Sequence, residues 1–223
     1  MLHRIICYVT DRKSLEADDA TTALLEKIRG AVEARVDWVQ IREKDLPGRD
    51  LLAQVRASIA AAKEARGRQS GKGTQIYVND RVDVALAANA AGVHLGGESL
   101  PAVDVVRWSR EGHAPAEFQV GVSCHSIDAA REAEQSGANY VFFGPVFDTP
   151  SKRKFGAPQG IERLRQVCGA LRIPVIAIGG INKANAEDCI RVGAAGVAAI
   201  RLFQEQASAQ ALRQIVSTLH GSA

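Results

Sequence analysis

Short runs of β-branched and aromatic residues alternate eight times with longer, alanine-rich amphipathic stretches along the chain. Asp50–Ala65 shows the helical pattern, because Leu51, Val55, Ile59 and Ala62 lie on one face of a helix. Regular alternation of strands and helices is typical of a parallel sheet covered by helices. The predicted strands are Ile5–Thr10, Trp38–Glu43, Gln75–Asn79, Gly92–Leu95, Gln119–Cys124, Tyr140–Phe143, Pro174–Ile178 and Gly196–Ile200.

The number of these units favours a closed barrel over an open sheet. The chain of 223 residues divides into units of about 28, close to the ~30 residues of a βαβ unit. A doubly wound open sheet usually has fewer strands and a glycine-rich first turn, whereas Thr10–Ser14 contains no glycine. We therefore predict a single (β/α)8 TIM-barrel domain over residues 1–223, in which Gln69–Thr74 is a loop and not a linker.

Charge and hydropathy exclude other classes of protein. The 28 basic and 25 acidic residues leave a net charge of +3, too small to indicate nucleic-acid binding. The uncharged stretch Ile173–Ile181 is much shorter than the roughly 20 residues that cross a bilayer, and the first residues carry no signal-peptide pattern. Four scattered cysteines without a Cys-x-x-Cys pair favour the reduced cytoplasm. The sequence leaves open whether the chain forms a homo-oligomer.

The end of the second strand carries an unusual set of inward-facing polar residues. Strand alternation puts Val39 and Ile41 toward the helices, so Gln40, Arg42 and Lys44 point toward the barrel axis. Two inward cations are costly unless an anion binds them. The pattern therefore predicts an anion-binding clamp, and the alternative is a buried ion pair with an acid such as Asp80.

The third strand ends in acidic residues. Asp80 leaves the strand where it can meet a hard cation or a substrate hydroxyl, and Mg²⁺ is commonly held by one or two carboxylates with substrate phosphates. Asp83 fits better in the first turn of the following helix, where carboxylates are favoured.

The fifth strand gives a candidate acid or base. Alternation places Gly121, Ser123 and His125 inside and leaves Cys124 as a small packed hydrophobe in the outer layer. His125 is either a general base or a histidine bonded to a neighbouring loop, and His94 in the fourth strand is better suited to a structural role.

Two later segments favour phosphate binding. Gly179–Gly180 follows the seventh strand and Arg201 follows the eighth, the positions at which barrel enzymes often bind phosphate; Arg201 could equally be a solvated charge. The loop after the sixth strand, residues 148–160, is polar and rich in glycine and proline. It is predicted to be a flexible lid over phosphates, and the alternative is a disordered loop without a role.

Taken together, these residues resemble the thiamine phosphate synthase and thiazole tautomerase family. The resemblance covers essentially the whole chain, and several motifs occur in order. They are Gln40-Ile41-Arg42-Glu43-Lys44-Asp45, Asn79-Asp80-Arg81-Val82-Asp83, Gly92-Val93-His94-Leu95-Gly96, Gly121-Val122-Ser123-Cys124-His125-Ser126, Phe143-Gly144-Pro145-Val146-Phe147-Asp148-Thr149-Pro150-Ser151-Lys152 and Ala177-Ile178-Gly179-Gly180-Ile181.

The resemblance implies a Mg²⁺-dependent transferase that joins an aminopyrimidine methyl diphosphate to hydroxyethylthiazole phosphate, giving thiamine phosphate and diphosphate. It implies that Asp80 binds Mg²⁺. Residues implied at the pyrimidine diphosphate are Gln40, Arg42, Lys44, Asn79, Ser123 and Lys152. Residues implied at the thiazole phosphate are Thr149, Ser151, Gly180 and the backbone near Ile200, beside Arg201.

The sequence departs from the synthase pattern at two positions. The pattern has a second metal-binding Asp where this chain has Ser99; the adjacent Glu98 of this chain is a possible substitute for it. The pattern also has Ser where this chain has Arg201. Two alternatives therefore stay open: an isomerase of the thiazole tautomerase kind, with His125 as acid or base, and a catalytically impaired relative that binds pathway ligands. Pro145 and Asp80 match the synthase and not the tautomerase, which favours the transferase.

Overall fold

Eight parallel strands pair in chain order and close on themselves, with β1 against β8. This computed structural model describes residues 3–67, 71, 73–149, 157–206 and 208–221. The strands are β1 (Ile5–Val9), β2 (Trp38–Ile41), β3 (Gln75–Asn79), β4 (Gly92–Leu95), β5 (Gln119–Cys124), β6 (Tyr140–Phe143), β7 (Val175–Ile178) and β8 (Gly196–Ala199). The predicted (β/α)8 barrel is confirmed, whereas the extent of the domain over 1–223 stays a prediction.

Helices lie between the strands on the outside of the barrel. A short 3₁₀ turn, Arg12–Ser14, follows β1, and α4 continues into a π-helical turn at Ser109–His113. The helices in the described residues are α1 (Ala20–Glu33), α2 (Gly48–Arg66), α3 (Val82–Ala87), α4 (Ala102–Trp108), α5 (Ile127–Gln135), α6 (Gly160–Ala170), α7 (Ala186–Arg191), α8 (Arg201–Gln204) and α9 (Ala209–His220). None of the described helices is long and apolar enough to cross a membrane.

Four strands are shorter than predicted, and hydrogen bonding explains three of the ends. β2 stops at Ile41 because the Arg42 amide donates to the Thr10 hydroxyl at 2.9 Å instead of to a neighbouring strand. β8 stops at Ala199 because the Ile200 carbonyl already accepts from helix α8. β7 begins after Pro174, which has no amide proton to donate. The fourth, β1, ends at Val9 and not at Thr10.

The barrel has two apolar layers. Outward-facing strand residues such as Val39 and Ile41 pack with the helices, as the alternation predicts. The interior is filled by Trp38, Tyr77 and Tyr140, with ring centroids 4.7–5.7 Å apart. Because these large rings occupy the amino half of the barrel, the polar residues at the strands' carboxyl ends form the opening.

Candidate active site at the carboxyl ends of the strands

Gln40 and Asn79 form the floor of the opening. Trp38 faces the barrel interior, and Gln40, two residues later, faces the same way, is 3% exposed, and donates to the Asn79 Oδ1 at 2.9 Å. The Gln40 Oε1 is buried and accepts no hydrogen bond from any described residue. A buried acceptor without a donor costs about 1–3 kcal/mol. The site therefore favours a ligand with an N–H group at this point.

Asp80 is the acidic centre of the opening. Its Oδ2 accepts from the Asn79 side-chain amide at 2.6 Å and lies 3.6 Å from the Lys44 Nζ. Its backbone has φ of 62°, a left-handed conformation that is unfavourable for residues other than glycine. The Asp80 amide donates to the His94 carbonyl at 2.9 Å, and this bond holds the carboxylate over the opening.

Ser99 lies beside this carboxylate. Its hydroxyl donates to the Asp80 Oδ1, and the Gly96 amide donates to the Ser99 Oγ at 2.7 Å and to Asp80 at 3.2 Å. The two residues predicted as metal ligands, Asp80 and Ser99, are therefore brought together, whereas Glu98 is exposed to solvent on the same loop.

Arg42 provides a partly buried positive charge without a compensating acid. In the described part of the chain its guanidinium forms no ion pair, while Lys44, half exposed, pairs with Asp80. The alternative predicted from the sequence, an ion pair with an acid such as Asp80, therefore applies to Lys44 but not to Arg42. A partly desolvated guanidinium favours an anionic ligand, and phosphate is a good match for its planar geometry.

A network that the sequence reasoning missed holds Arg42 in place. The Thr10 hydroxyl accepts from the Arg42 amide and donates to the Glu43 carboxylate at 2.6 Å. Glu43 is 4% exposed and pairs with Arg12 at 3.0 Å. Arg12 also binds Asp45 with two hydrogen bonds of 2.7 Å, and these bonds lower the pKa of that carboxyl. An acid at an outward strand position is the one signal that could have revealed this network.

Ser123 is fixed by the buried His94, which also contacts Tyr140. His94 Nε2 lies 2.8 Å from the Ser123 Oγ, and His94 Nδ1 lies 3.3 Å from the Tyr140 hydroxyl. Burial, reinforced by Arg42 and opposed by Asp80, lowers the pKa of His94 to about 3. A neutral imidazole with both nitrogens engaged fits the structural role expected for His94.

His125 and Cys124 are poorly placed for acid–base chemistry. His125 Nδ1 binds the Gly144 carbonyl, which matches the loop-bonded alternative from the sequence. Cys124 is buried in the outer layer, as expected, and burial raises the pKa of its thiol to about 12.

The loops after β7 and β8 lie side by side, because Ile178 is in register with Ala198. Gly180 has φ of 67°, and a Cβ there would lie 2.6 Å from the Asp148 carbonyl. Ile200 caps the short helix α8, whose exposed first residue is Arg201. Barrel enzymes often bind phosphate at these two loops beside a short extra helix.

Both ends of the predicted lid, residues 148–160, are attached to the barrel mouth. Phe147 donates to the Gly179 carbonyl at 3.0 Å, and Gln159 donates to the Pro145 carbonyl at 2.8 Å. Gly160, the last residue of the predicted loop, already belongs to α6. Thr149 lies within the described residues, whereas Ser151 and Lys152 lie outside them, so their roles and the motion of the lid stay predictions.

The family model and the similar sequences point to one family. The family model for thiamine monophosphate synthase matches residues 6–203. A putative thiamine-phosphate synthase of Geobacter sulfurreducens is 42% identical over 192 residues, which cover 86% of this chain and 83% of that protein. The thiamine-phosphate synthase of Moorella thermoacetica is 40% identical over 201 residues, covering 88% and 90%. The solved thiamine phosphate pyrophosphorylase of Pyrococcus furiosus has a TM-score of 0.80 at 29% identity, covering 97% and 95%.

Proposed function

The chain belongs to the thiamine monophosphate synthase family, and from that premise we propose that it joins an aminopyrimidine methyl diphosphate to hydroxyethylthiazole phosphate, releasing diphosphate. The observation that carries the proposal is that Arg42, which has no acidic partner among the described residues, lies at the same opening as the Gln40–Asn79–Asp80 chain of hydrogen bonds. An anion site next to an orphaned acceptor fits a ligand that is a diphosphate at one end and an amine at the other.

The pyrimidine end of the substrate would lie over the floor of the opening. Its exocyclic amine would supply the donor that the Gln40 Oε1 lacks. Ser123, held by His94 at 2.8 Å, is expected to contact the ring or the diphosphate. The diphosphate would then reach Arg42 and Lys44, whose charges balance part of its own.

The carboxylate of Asp80, with the adjacent Ser99 hydroxyl, fits Mg²⁺, which takes hard oxygen ligands and often only one or two carboxylates beside substrate phosphates. When bound, the ion would neutralise charge on the departing diphosphate. Asp80, held by the Asn79 amide and the Gly96 amide, would position that ion without moving.

The proposed reaction transfers no proton in its bond-making step. The C–O bond to diphosphate breaks and its electron pair leaves with the diphosphate; the ring-stabilised methylene cation then accepts the lone pair of the thiazole nitrogen to form the C–N bond. Charge stabilisation and alignment therefore do most of the work. The engagement of His125 with a backbone carbonyl is consistent with this chemistry.

The thiazole phosphate would bind on the opposite side of the opening. Gly180 and the backbone at Ile200 are expected to receive its phosphate, with Arg201 at the rim. Thr149, Ser151 and Lys152 of the lid would close over both phosphates, excluding water that would otherwise capture the cation.

Incubation with both substrates and Mg²⁺ tests the proposal directly. We expect thiamine phosphate and diphosphate in equal amounts, and no product when chelator replaces the metal. The absence of thiamine phosphate across a full Mg²⁺ titration would contradict the proposal. Tight binding of thiamine phosphate without turnover would instead identify an impaired relative.

Replacing Arg42 by glutamine sharpens the test. Loss of one charged contact to a leaving group typically costs about 100-fold in rate, so Arg42→Gln should lower kcat/KM for the pyrimidine diphosphate by about that factor. The matched control is Arg107→Gln in α4, because Arg107 is exposed and, among the described residues, forms an ion pair only with Asp104 one turn away. Equal effects of the two changes would show that Arg42 does not contact the diphosphate.

A further inference from the structure

The amino end of the barrel, opposite the proposed active site, contains a cavity of about 760 Å³. The first residues of several strands line it, among them Trp38, Gln119 and Tyr140. None of the described residues assigned above to substrate binding lines this cavity. The cavity is therefore spatially separate from the proposed active site.

Two histidines and one aspartate meet at the edge of this cavity. His3 precedes β1, Asp37 precedes β2, and His220 is the last residue of α9. His3 Nε2 lies 2.5 Å from the Asp37 Oδ1, and His220 Nε2 lies 2.9 Å from the Asp37 Oδ2. One ligand atom from each of the three residues lies within 4.8 Å of the others.

The central carboxylate is held rigidly. Asp37 Oδ2 also accepts from the Ile6 amide at 2.8 Å, and the Asp37 side chain is only 17% exposed. The Ile6 amide bond involves neither histidine, so the carboxylate stays oriented toward both imidazoles whether or not they donate to it.

From this geometry we propose that His3, Asp37 and His220 bind one divalent transition-metal ion of the zinc class. Two imidazole nitrogens and one carboxylate oxygen are a common zinc-binding set, with a fourth position open to water. Imidazole nitrogen favours zinc, nickel or copper over Mg²⁺, which prefers oxygen.

Small side-chain movements are sufficient to form the site. Ligand atoms around a tetrahedral zinc ion lie about 3.4 Å apart, whereas the three atoms here are within 4.8 Å of one another. His3 has the most freedom, because its side chain is 70% exposed. The Ile6 amide bond to Asp37 would orient the carboxylate, as outer hydrogen bonds commonly do at metal sites.

The ion would join three parts of the chain that are distant in sequence. His3 and Asp37 are 34 residues apart, and Asp37 and His220 are 183 residues apart. Binding would tie the segment before β1 and the end of α9 to the segment before β2, where His3 and His220 stack with ring centroids 5.3 Å apart. We therefore expect metal to stabilise the folded chain without being required for turnover at the opposite end.

Calorimetric titration of the full chain with Zn²⁺, without a histidine tag, tests the site. We expect one Zn²⁺ per chain for the wild type. His3→Gln and His220→Gln should each weaken binding by at least about tenfold, since loss even of outer metal-site partners has effects of this size. The matched control is His113→Gln, because His113 is an exposed histidine that stacks on Trp108, outside this cluster. Asp37 is left unchanged because its loss would also remove the bond to the Ile6 amide.

Absorption spectra with Co²⁺ identify the ligands. Nitrogen and oxygen ligation gives weak visible bands without thiolate charge transfer in the near ultraviolet. Thiolate bands would assign the metal to Cys168, the one cysteine in the described chain that is not fully buried. Three results would overturn the proposal: thiolate bands, no stoichiometric Zn²⁺ binding by the wild type, or unchanged Zn²⁺ affinity in both histidine variants.

Discussion

His94 is a titratable residue buried where a charge is strongly unfavourable. It is 1% exposed, and burial lowers its pKa from 6.5 to about 3. Below pH 6.5, His94 is therefore protonated in the unfolded chain, whereas in the folded chain it stays neutral until about pH 3. Since the unfolded state then holds more protons, stability falls as pH falls through this window.

We expect His94→Gln to flatten this dependence. For one proton, the free energy of unfolding of the wild type should fall by about 1.4 kcal/mol per pH unit below pH 6, and the variant should lack that contribution. Chemical denaturation at several pH values measures the slope, which does not depend on how much the substitution itself destabilises the chain. Identical slopes in the two proteins would mean that His94 titrates normally in the fold.

Ser99 offers a second test at the level of one residue. A carboxylate at this position would add a full charge next to Asp80, about 4 Å from a bound cation, which is worth several kcal/mol even at an effective dielectric constant of ~20. We expect Ser99→Asp to raise the affinity for Mg²⁺ by at least about tenfold, or ~1.4 kcal/mol. Calorimetry with Mg²⁺ and diphosphate measures the change.

The control for this change is Ser99→Asn, which has nearly the same shape as Asp but no charge. The asparagine variant should show no gain in affinity. Unchanged affinity in Ser99→Asp would show that Glu98 or a water molecule already serves as the second ligand, or that Mg²⁺ binds elsewhere.

The loop after β7 is the element in which backbone conformation matters most for the site. Gly180 has a positive φ, and a Cβ would lie 2.6 Å from the Asp148 carbonyl and 2.7 Å from the Phe147 Cβ. These are the residues that lead into the lid. The glycine is therefore needed both for its own conformation and for the close approach of the lid's first residues.

Gly180→Ala should destabilise the chain by about 2 kcal/mol or more, because an alanine at positive φ costs ~1–2 kcal/mol before the contact with Asp148 is counted. The added methyl group should displace Asp148 and so raise KM for the thiazole phosphate, while KM for the pyrimidine diphosphate changes little. Denaturation and steady-state kinetics with each substrate varied in turn measure both effects.

Gly30→Ala is the matched comparison. Gly30 lies inside α1, and a Cβ there would have no atom within 4 Å. Alanine in a helix interior should stabilise by about 0.5–1 kcal/mol. A Gly180→Ala variant as stable as the Gly30→Ala variant, with an unchanged KM, would show that the loop can relax away from the added methyl group.

At the scale of the whole molecule, the sequence predicted the architecture better than it predicted the contacts. Alternation of strand and helix patterns is local, so eight units could be recognised one at a time. Strand ends were less certain, since they depend on bonds between elements, such as the Arg42 amide to the Thr10 hydroxyl.

The two ends of the barrel were not equally predictable. Residues at the carboxyl ends of parallel strands converge in any closed barrel, so Gln40 and Asp80 could be assigned to one opening before their contacts were known, whereas Asn79 was assigned by the family resemblance. The cluster of His3, Asp37 and His220 has no local spacing pattern, because it forms only when the chain closes on itself. The Arg12–Glu43 pair was missed for a similar reason.

Closure of the barrel depends on the contact between the first and last strands. Ile5 of β1 is in register with Gly196 of β8, and a Cβ on Gly196 would lie 2.0 Å from the Ile5 carbonyl oxygen. Backbone in a paired strand cannot move aside as a flexible side chain can. At this point of the β1–β8 pairing, the strands can approach this closely because residue 196 has no side chain.

We expect Gly196→Ala to destabilise the chain by about 3 kcal/mol, at the upper end of the cost of overpacking, because the added methyl separates β1 from β8. Gly169→Ala in α6, where a Cβ meets no atom within 4 Å, is the control and should be neutral or stabilising. Urea denaturation measures both free energies of unfolding. If Gly196→Ala lowers the free energy of unfolding by less than about 1 kcal/mol, β1 and β8 move apart slightly without losing their pairing. The predicted larger loss would identify the β1–β8 pairing as the contact on which the stability of the whole barrel depends.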